Sequence, residues 1–389
     1  MMAYTAIILM AMNFMLAGNY ILFVLFAGIC IKNKRFRANW KFLILLAFSA
    51  TYILADTLSS SSTPAVVWFL PIAYIVGYNW EMKGSDDYRT ILGLIFCIAL
   101  GMCFHVFLNM CYELLQNRGF NYGAIHYDFW SKKVSAATGQ MSNFAISASL
   151  IPFILLRRKK YLLSLILITP CILYGTIVGS RTSVFLVALS LAIGLSVFAF
   201  SSKRKSARIA LLAMIAIISL FILLIESNTF GLSEMINNSY LLRRLSSESY
   251  VEQDFFSSER WNIRRTYLQN ALVWPWGGGK LRDLASGLYA HDIFLDTLNT
   301  GGIFALCFLL IYSISLVRNA LFFTRRGDSF DRRVLVVPYL SVILTEMLME
   351  PIIEGAPVFL ICVVIIDAAM TRANEMGTPN ENSISVKLF

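Results

Sequence analysis

Apolar runs of about 20 residues recur from one end of the chain to the other, separated by short polar breaks. Wound as an α-helix at about 1.5 Å per residue, such a run crosses the hydrocarbon core of a bilayer. In lipid only helices and closed barrels satisfy every backbone polar group, and runs this long and continuous mean helices. The pattern predicts about eleven spans, centred near residues 5–31, 41–58, 64–80, 90–112, 141–156, 161–178, 182–201, 209–226, 292–317, 334–352 and 356–371. The expected fold class is therefore all-α, a polytopic integral membrane protein. Residues 1–373 read as a single transmembrane domain carrying two long loops, 113–140 and 227–290, the second partly helical. Residues 374–389 read as a polar, disordered tail. The first 31 residues lack the basic start and small-residue cleavage site of a removable signal peptide, so they read as a retained first span.

Composition agrees. Of 389 residues, 58% are hydrophobic and 14% charged, too little polar surface for a soluble domain of this length. A net charge of +10 by itself admits a nucleic-acid partner. The placement of the cations argues against one, because they cluster between apolar runs at Lys32–Arg37, Arg157–Lys160, Lys203–Arg208 and Arg318–Arg333. That is the positive-inside pattern. Segments on one side carry 22 of the 33 Lys and Arg; on the other, Arg181 is the only basic residue outside the two long loops. The N-terminus is then outside and the C-terminus cytoplasmic; two short spans within residues 2–31 would flip the N-terminus alone. The seven cysteines form no CxxC pair and read as small core residues, with neither a metal cluster nor a disulfide framework indicated.

In a membrane protein, ionisable groups in or near the spans carry the information. Arg181 sits in the turn Gly179–Ser183 at the lip of a helix on the outer side; it either snorkels to head groups or serves a function. Six of the seven cations in loop 227–290 are arginines, whose planar forks match phosphate oxygens. Arg260 and Arg264, with Arg265 beside them, share a face if residues 258–273 are helical. Salt bridges to the loop's own acids are the bland alternative. His291 stands at the outer mouth of the span 292–317, where an imidazole can act as a base near neutral pH. Glu346, Glu350 and Glu354, spaced four apart, share one helix face and must meet a protein interior or a wet cavity. They either pair with arginines or hold sugar hydroxyls. His105 lies within a span and reads as a core group.

The run Ser258-Glu259-Arg260, then Trp274-Pro275-Trp276-Gly277-Gly278-Gly279, then His291-Asp292-Ile293-Phe294-Leu295, then Gly301-Gly302 resembles the O-antigen polymerase and ligase superfamily of bacterial envelopes. Ser180-Arg181-Thr182-Ser183 and Thr138-Gly139-Gln140-Met141-Ser142-Asn143 are similar to upstream motifs of that family, so the likeness covers roughly residues 135–310. Asp292 stands where the family has Asn, and Glu259 where it has Gly. The resemblance implies a multi-pass protein of the bacterial inner membrane with its site on the periplasmic face. It implies an undecaprenyl-diphosphate-linked glycan donor, a metal-independent transfer without cofactor, and a chain-length regulator protein as a further partner. In that reading Arg181 and Arg260 stabilise the diphosphate leaving group and His291 takes the acceptor's proton. Arg264, Arg265, Glu350 and Glu354 bind substrate. The leading expectation is a polysaccharide polymerase; a ligase that moves the finished chain to lipid A core, or a glycolipid flippase, are the alternatives.

Overall fold

The structure, a computed structural model, describes residues 2–33, 35–59, 64–82, 87–116, 125–136, 142, 144–158, 181–201, 259–326, 329–376 and 384–387. They are mostly helical. The helices are α1 (Met2–Ala11), α2 (Gly18–Asn33), α3 (Trp40–Leu58), α4 (Ala65–Tyr78), α5 (Asp87–Leu115), α6 (Ala145–Phe153) and α7 (Arg181–Ser201). There follow α8 (Glu259–Asn270), α9 (Lys280–Leu284), α10 (Ile293–Thr324), α11 (Ser329–Met349), α12 (Ile352–Gly355) and α13 (Pro357–Met376). Among the described residues four helices, α3, α5, α10 and α13, are long and apolar enough to cross a membrane, and α1, α2, α4, α6 and α7 are shorter apolar helices. The expected spans 161–178 and 209–226 lie outside the described residues.

The chain divides into two compact units. Met1–His105, Phe255–Phe323 and Ile343–Phe389 make the first, Val106–Asp254 and Thr324–Val342 the second. In the first, α13 is buried on all sides from Phe359 to Met370, as an all-round apolar helix must be. Small residues let its neighbours approach: a Cβ on Gly77 of α4 would fall 2.2 Å from the Ile365 carbonyl oxygen of α13. One polar knot is buried among these helices. Lys41 Nζ lies 3.0 Å from both carboxylate oxygens of Asp367, and Asn319 Nδ2 donates to the same carboxylate at 2.8 Å. Thr371 accepts from both Lys41 and Asn319. A buried ion pair survives only when its remaining groups are satisfied this way.

Two sequence expectations are corrected in this unit. The stretch 5–31 is a helical hairpin rather than one span. Asn13, Met15 and Leu16 adopt left-handed backbone angles, and the Asn13 side chain accepts from Gly18 N at 3.2 Å to start α2. At about 15 Å, α1 is too short to cross a hydrocarbon core. The hairpin carries Met2 back beside Lys32, with both lining one cavity. The N-terminus therefore lies at the Lys32 end, as the two-helix alternative requires. The polar tail is also not wholly irregular: Ile384–Lys387 (β4) pairs antiparallel with Arg35–Ala38 (β1), Arg35 opposite Lys387.

In the second unit α6 packs on α7, where Ser190 donates to the Ala148 carbonyl at 2.8 Å and Gly194 leaves room for Pro152. The loop 113–140 contains a hairpin of β2 (Ile125–Tyr127) and β3 (Val134–Ala136). Asn109 and Glu113 on α5 pin it by accepting from Phe129 N at 2.7 Å and Tyr127 N at 3.0 Å.

Candidate functional site

The residues the sequence singles out between 259 and 354 belong to the first unit. α8 forms where expected, and Arg260 and Arg264, one turn apart, point the same way. Their targets are backbone carbonyls. Arg260 Nη1 donates to Met349 O at 3.4 Å and Arg264 Nη2 to Leu348 O. These oxygens end α11, where carbonyls lack intrahelical partners and the helix dipole is negative, so guanidinium groups cap them well. Arg265 is exposed on another face of α8.

Arg264 does a second job. Its Nε donates to Ala290 O at 3.1 Å and its Nη2 to His291 O at 2.7 Å. Asp296 grips the same segment through its N–H groups, accepting from Ala290 N at 2.9 Å and Asp292 N at 3.3 Å. His291, between them, has φ +53°, a left-handed conformation that costs a bulky residue on the order of 1–3 kcal/mol. Four hydrogen bonds from two ionisable side chains hold it there. Asp292 caps α10, its carboxylate accepting from Phe294 N at 2.9 Å and Leu295 N at 3.3 Å. A negative charge at a helix start suits both the free N–H groups and the dipole.

The strained loop aims its imidazole at a carboxylate. His291 Nδ1 lies 3.6 Å from Glu350 Oε2, and Arg260 Nη2 lies 3.9 Å from Glu350 Oε1. Glu350 is 1% exposed and His291 26%. The buried carboxylate thus stands between a guanidinium and an imidazole that still reaches solvent. Both separations exceed a formed hydrogen bond.

The three glutamates do not share one continuous helix. α11 ends at Met349, and Pro351 (φ −78°, ψ 79°) starts α12 in a new direction, so Glu354 departs from the expected stripe. Tyr52 donates to Glu354 Oε1 at 3.3 Å, while Oε2 has no hydrogen-bond partner among the described residues. Burial holds this carboxyl above its ordinary range, opposed by hydrogen bonds and by Arg282. Arg282 donates to the Tyr289 hydroxyl at 2.9 Å and stacks 4.3 Å from that ring's centroid. Burial and Glu354 push the Tyr289 hydroxyl's pKa up. A carboxyl, two phenols and a guanidinium therefore share a neighbourhood beside His291.

The glycine turn fixes the scaffold. Gly302 breaks α10 with φ +76° and ψ −176°, freeing backbone groups on either side. Gly278 N donates to Thr300 O at 3.0 Å, Gly279 N to Asn299 O at 2.8 Å, and Ile303 N to Pro275 O at 2.7 Å. The turn thus satisfies the broken helix. Beyond the break, Ile303–Thr324 is about 33 Å long and spans a hydrocarbon core unaided, leaving Ile293–Gly301 as an extension. A small core of Tyr267, Leu281, Ala285, Ala290 and Leu298 seats α8 and α9 on that extension.

His291, Arg260, Arg264 and Glu350 are brought together, and Glu354 lies on the next helix. Arg181 is the first residue of α7, in the second unit; its side chain, like Arg243 and Arg244, lies outside the described residues. No group of three His, Cys, Asp or Glu placed for a metal ion occurs among the described residues. Sequence reasoning passed over Asp296 and Tyr52. The Asp292–Asp296 spacing at the start of an apolar run was the available signal for the first; nothing in the sequence marks the second. The chain matches no protein-family model and no curated protein sequence.

Proposed function

We propose that this protein is a membrane glycosyltransferase that joins undecaprenyl-diphosphate-linked repeat units into an O-antigen or capsular polysaccharide on the periplasmic face of a bacterial inner membrane. The supporting observation is the His291–Glu350–Arg260 group, with the imidazole partly open to solvent at the head of a membrane helix. With Nδ1 turned to Glu350, Nε2 is left to take a proton. In the proposed step an acceptor sugar hydroxyl attacks the anomeric carbon of the donor. The new C–O bond forms as the bond to the diphosphate breaks, the hydroxyl proton passes to His291, and the lipid diphosphate leaves. General-base help of this kind is typically worth ~10²–10⁴-fold. Arg260 offsets the charge developing on the diphosphate. Glu354, oriented by Tyr52, and Tyr289 offer acceptors and donors for sugar hydroxyls.

The test is incubation of purified protein with a lipid-linked repeat unit. A ladder of products supports the polymerase, and a single transfer to lipid A core selects the ligase. Unchanged synthesis by well-expressed His291→Ala protein overturns the role of His291 as base, and absence of any transfer by the purified wild-type chain favours a flippase. Trapping a covalent glycosyl-enzyme overturns the direct displacement.

A further inference from the structure

The hairpin of α1 and α2 encloses, with residues 79–81 and the start of α5, a cavity of about 780 Å³, inside the roughly 300–1,000 Å³ range of small-molecule sites. Nothing in the proposed transfer uses it, and it lies at the Lys32 end of the unit. Its lining is divided. One part is polar and cationic: Lys32 and Arg89, with Glu81 the single carboxylate among the described lining residues. Lys32 Nζ meets Glu81 Oε2 at 2.6 Å, but both side chains are more than 60% exposed, so water screens that pair and a stronger anion can replace it. The positive charge extends further. Asn79, which also lines the cavity, accepts from Arg37 N at 2.8 Å and so draws the basic strand Arg35–Ala38 alongside.

The other part is apolar. Val24, Leu25 and Ile29 form a wall along α2, and a Cβ at Gly28 would meet nothing within 4 Å, so the groove floor is open there. α1, at about 15 Å, covers only part of α2, at about 24 Å. Trp80 and Tyr4, in edge contact at 5.5 Å, line the same cavity. An occupant that suits both halves carries a phosphate at one end and a hydrocarbon chain at the other.

We infer that this cavity binds an anionic phospholipid of the leaflet on the Lys32 side, its phosphate between Lys32 and Arg89 and an acyl chain along Val24–Ile29. The experiment measures lipid retained by the full chain after extraction from nanodiscs of equal phosphatidylglycerol and phosphatidylcholine, read by native mass spectrometry. The expected result is a preference of roughly 30-fold for phosphatidylglycerol, the scale of two interfacial cations at about 1 kcal/mol each. Lys32→Gln with Arg89→Gln should abolish the preference. Gly28→Leu, which fills the groove without changing charge, should lower retention of both lipids. Glu81→Gln, which removes the competing carboxylate, should raise the preference, and this variant keeps the test decisive if the double variant folds poorly. Equal retention of the two lipids by the native chain, or a preference that survives loss of both cations, overturns the inference. Displacement of the lipid by millimolar inorganic phosphate also overturns it, because the site would then belong to the free anion.

Discussion

The buried carboxylate of Glu350 lies 3.6 Å from Nδ1 of His291, which a left-handed backbone turn presents to it. Substituting Glu350→Gln preserves size and removes the charge. Under the proposed reaction, turnover per folded molecule should fall roughly 10- to 100-fold, the worth of one charge-assisted hydrogen bond. The donor KM should change little. A purely structural Glu350 would instead reduce the yield of folded protein and leave turnover of the folded fraction intact. Single-turnover kinetics on size-exclusion-purified protein separates the two.

Arg264 offers a sharper discrimination, because sequence reasoning makes it a phosphate binder and its hydrogen bonds go to three backbone carbonyls. A lysine keeps the charge but cannot fork between carbonyls in two directions. Arg264→Lys should therefore lose nearly as much kcat as Arg264→Ala, with donor KM held within a few-fold. A lysine that restores kcat, together with an alanine that mainly raises KM, would return Arg264 to phosphate binding.

How much of this was legible follows from what each signal depends on. The helical, membrane-embedded class rests on long apolar runs, and α3, α5, α10 and α13 appear where those runs lie. The hairpin within residues 2–33 was hidden because its turn interrupts the apolar run with little more than Asn13 and Gly18, while Met15 and Leu16, also left-handed, are apolar residues that read as span. At the site, His291 and Glu350 stood out as ionisable residues at span ends and Arg260 as one of the arginines of the loop 227–290, and they converge. The division of labour did not show. That Arg264 and Asp296 hold one peptide segment depends on contacts across 27 and 6 residues of sequence, and residue type alone does not encode them. The break at Pro351, which separates Glu354 from Glu350, was visible only as a proline able to loosen the helix.

Glu354 gives a pH-dependent prediction. Its folded-state pKa is raised above the ordinary value of 4.5, chiefly by burial. The folded protein therefore holds this proton more tightly than the unfolded chain does. Stability from this group is fully present below about pH 4.5 and is lost as pH rises through the raised folded value. Glu354→Gln, neutral throughout, should raise Tm at pH 7.5 and flatten the part of the Tm profile between pH 4.5 and 7.5. Thermal unfolding of the purified chain across that range checks it. A variant less stable than the parent at pH 7.5 would mean that the ionised carboxylate is the form that the fold prefers.

The glycine turn makes a prediction that needs no assumption about chemistry. Gly277 (φ +85°) and Gly302 (φ +76°) face each other across the break in α10. A Cβ on Gly277 would stand 2.4 Å from Thr300 O, and one on Gly302 2.7 Å from the Trp276 carbonyl carbon. Both obstacles are backbone, so neither can rotate away. Gly279 (φ +82°) has the same backbone handedness, but a Cβ there meets nothing within 4 Å. Gly279→Ala should therefore cost only the left-handed penalty of roughly 1–2 kcal/mol. Gly277→Ala and Gly302→Ala add a clash worth about 1–3 kcal/mol more and expel the turn from the helix break. The check is Tm together with protection of the Gly278 and Gly279 amides in hydrogen exchange. Those amides should lose protection in Gly302→Ala and keep it in the wild type, since their acceptors are the carbonyls of Thr300 and Asn299. Equal Tm losses at positions 277 and 279 would show that handedness alone, and not the docking of the turn into α10, sets the requirement for glycine.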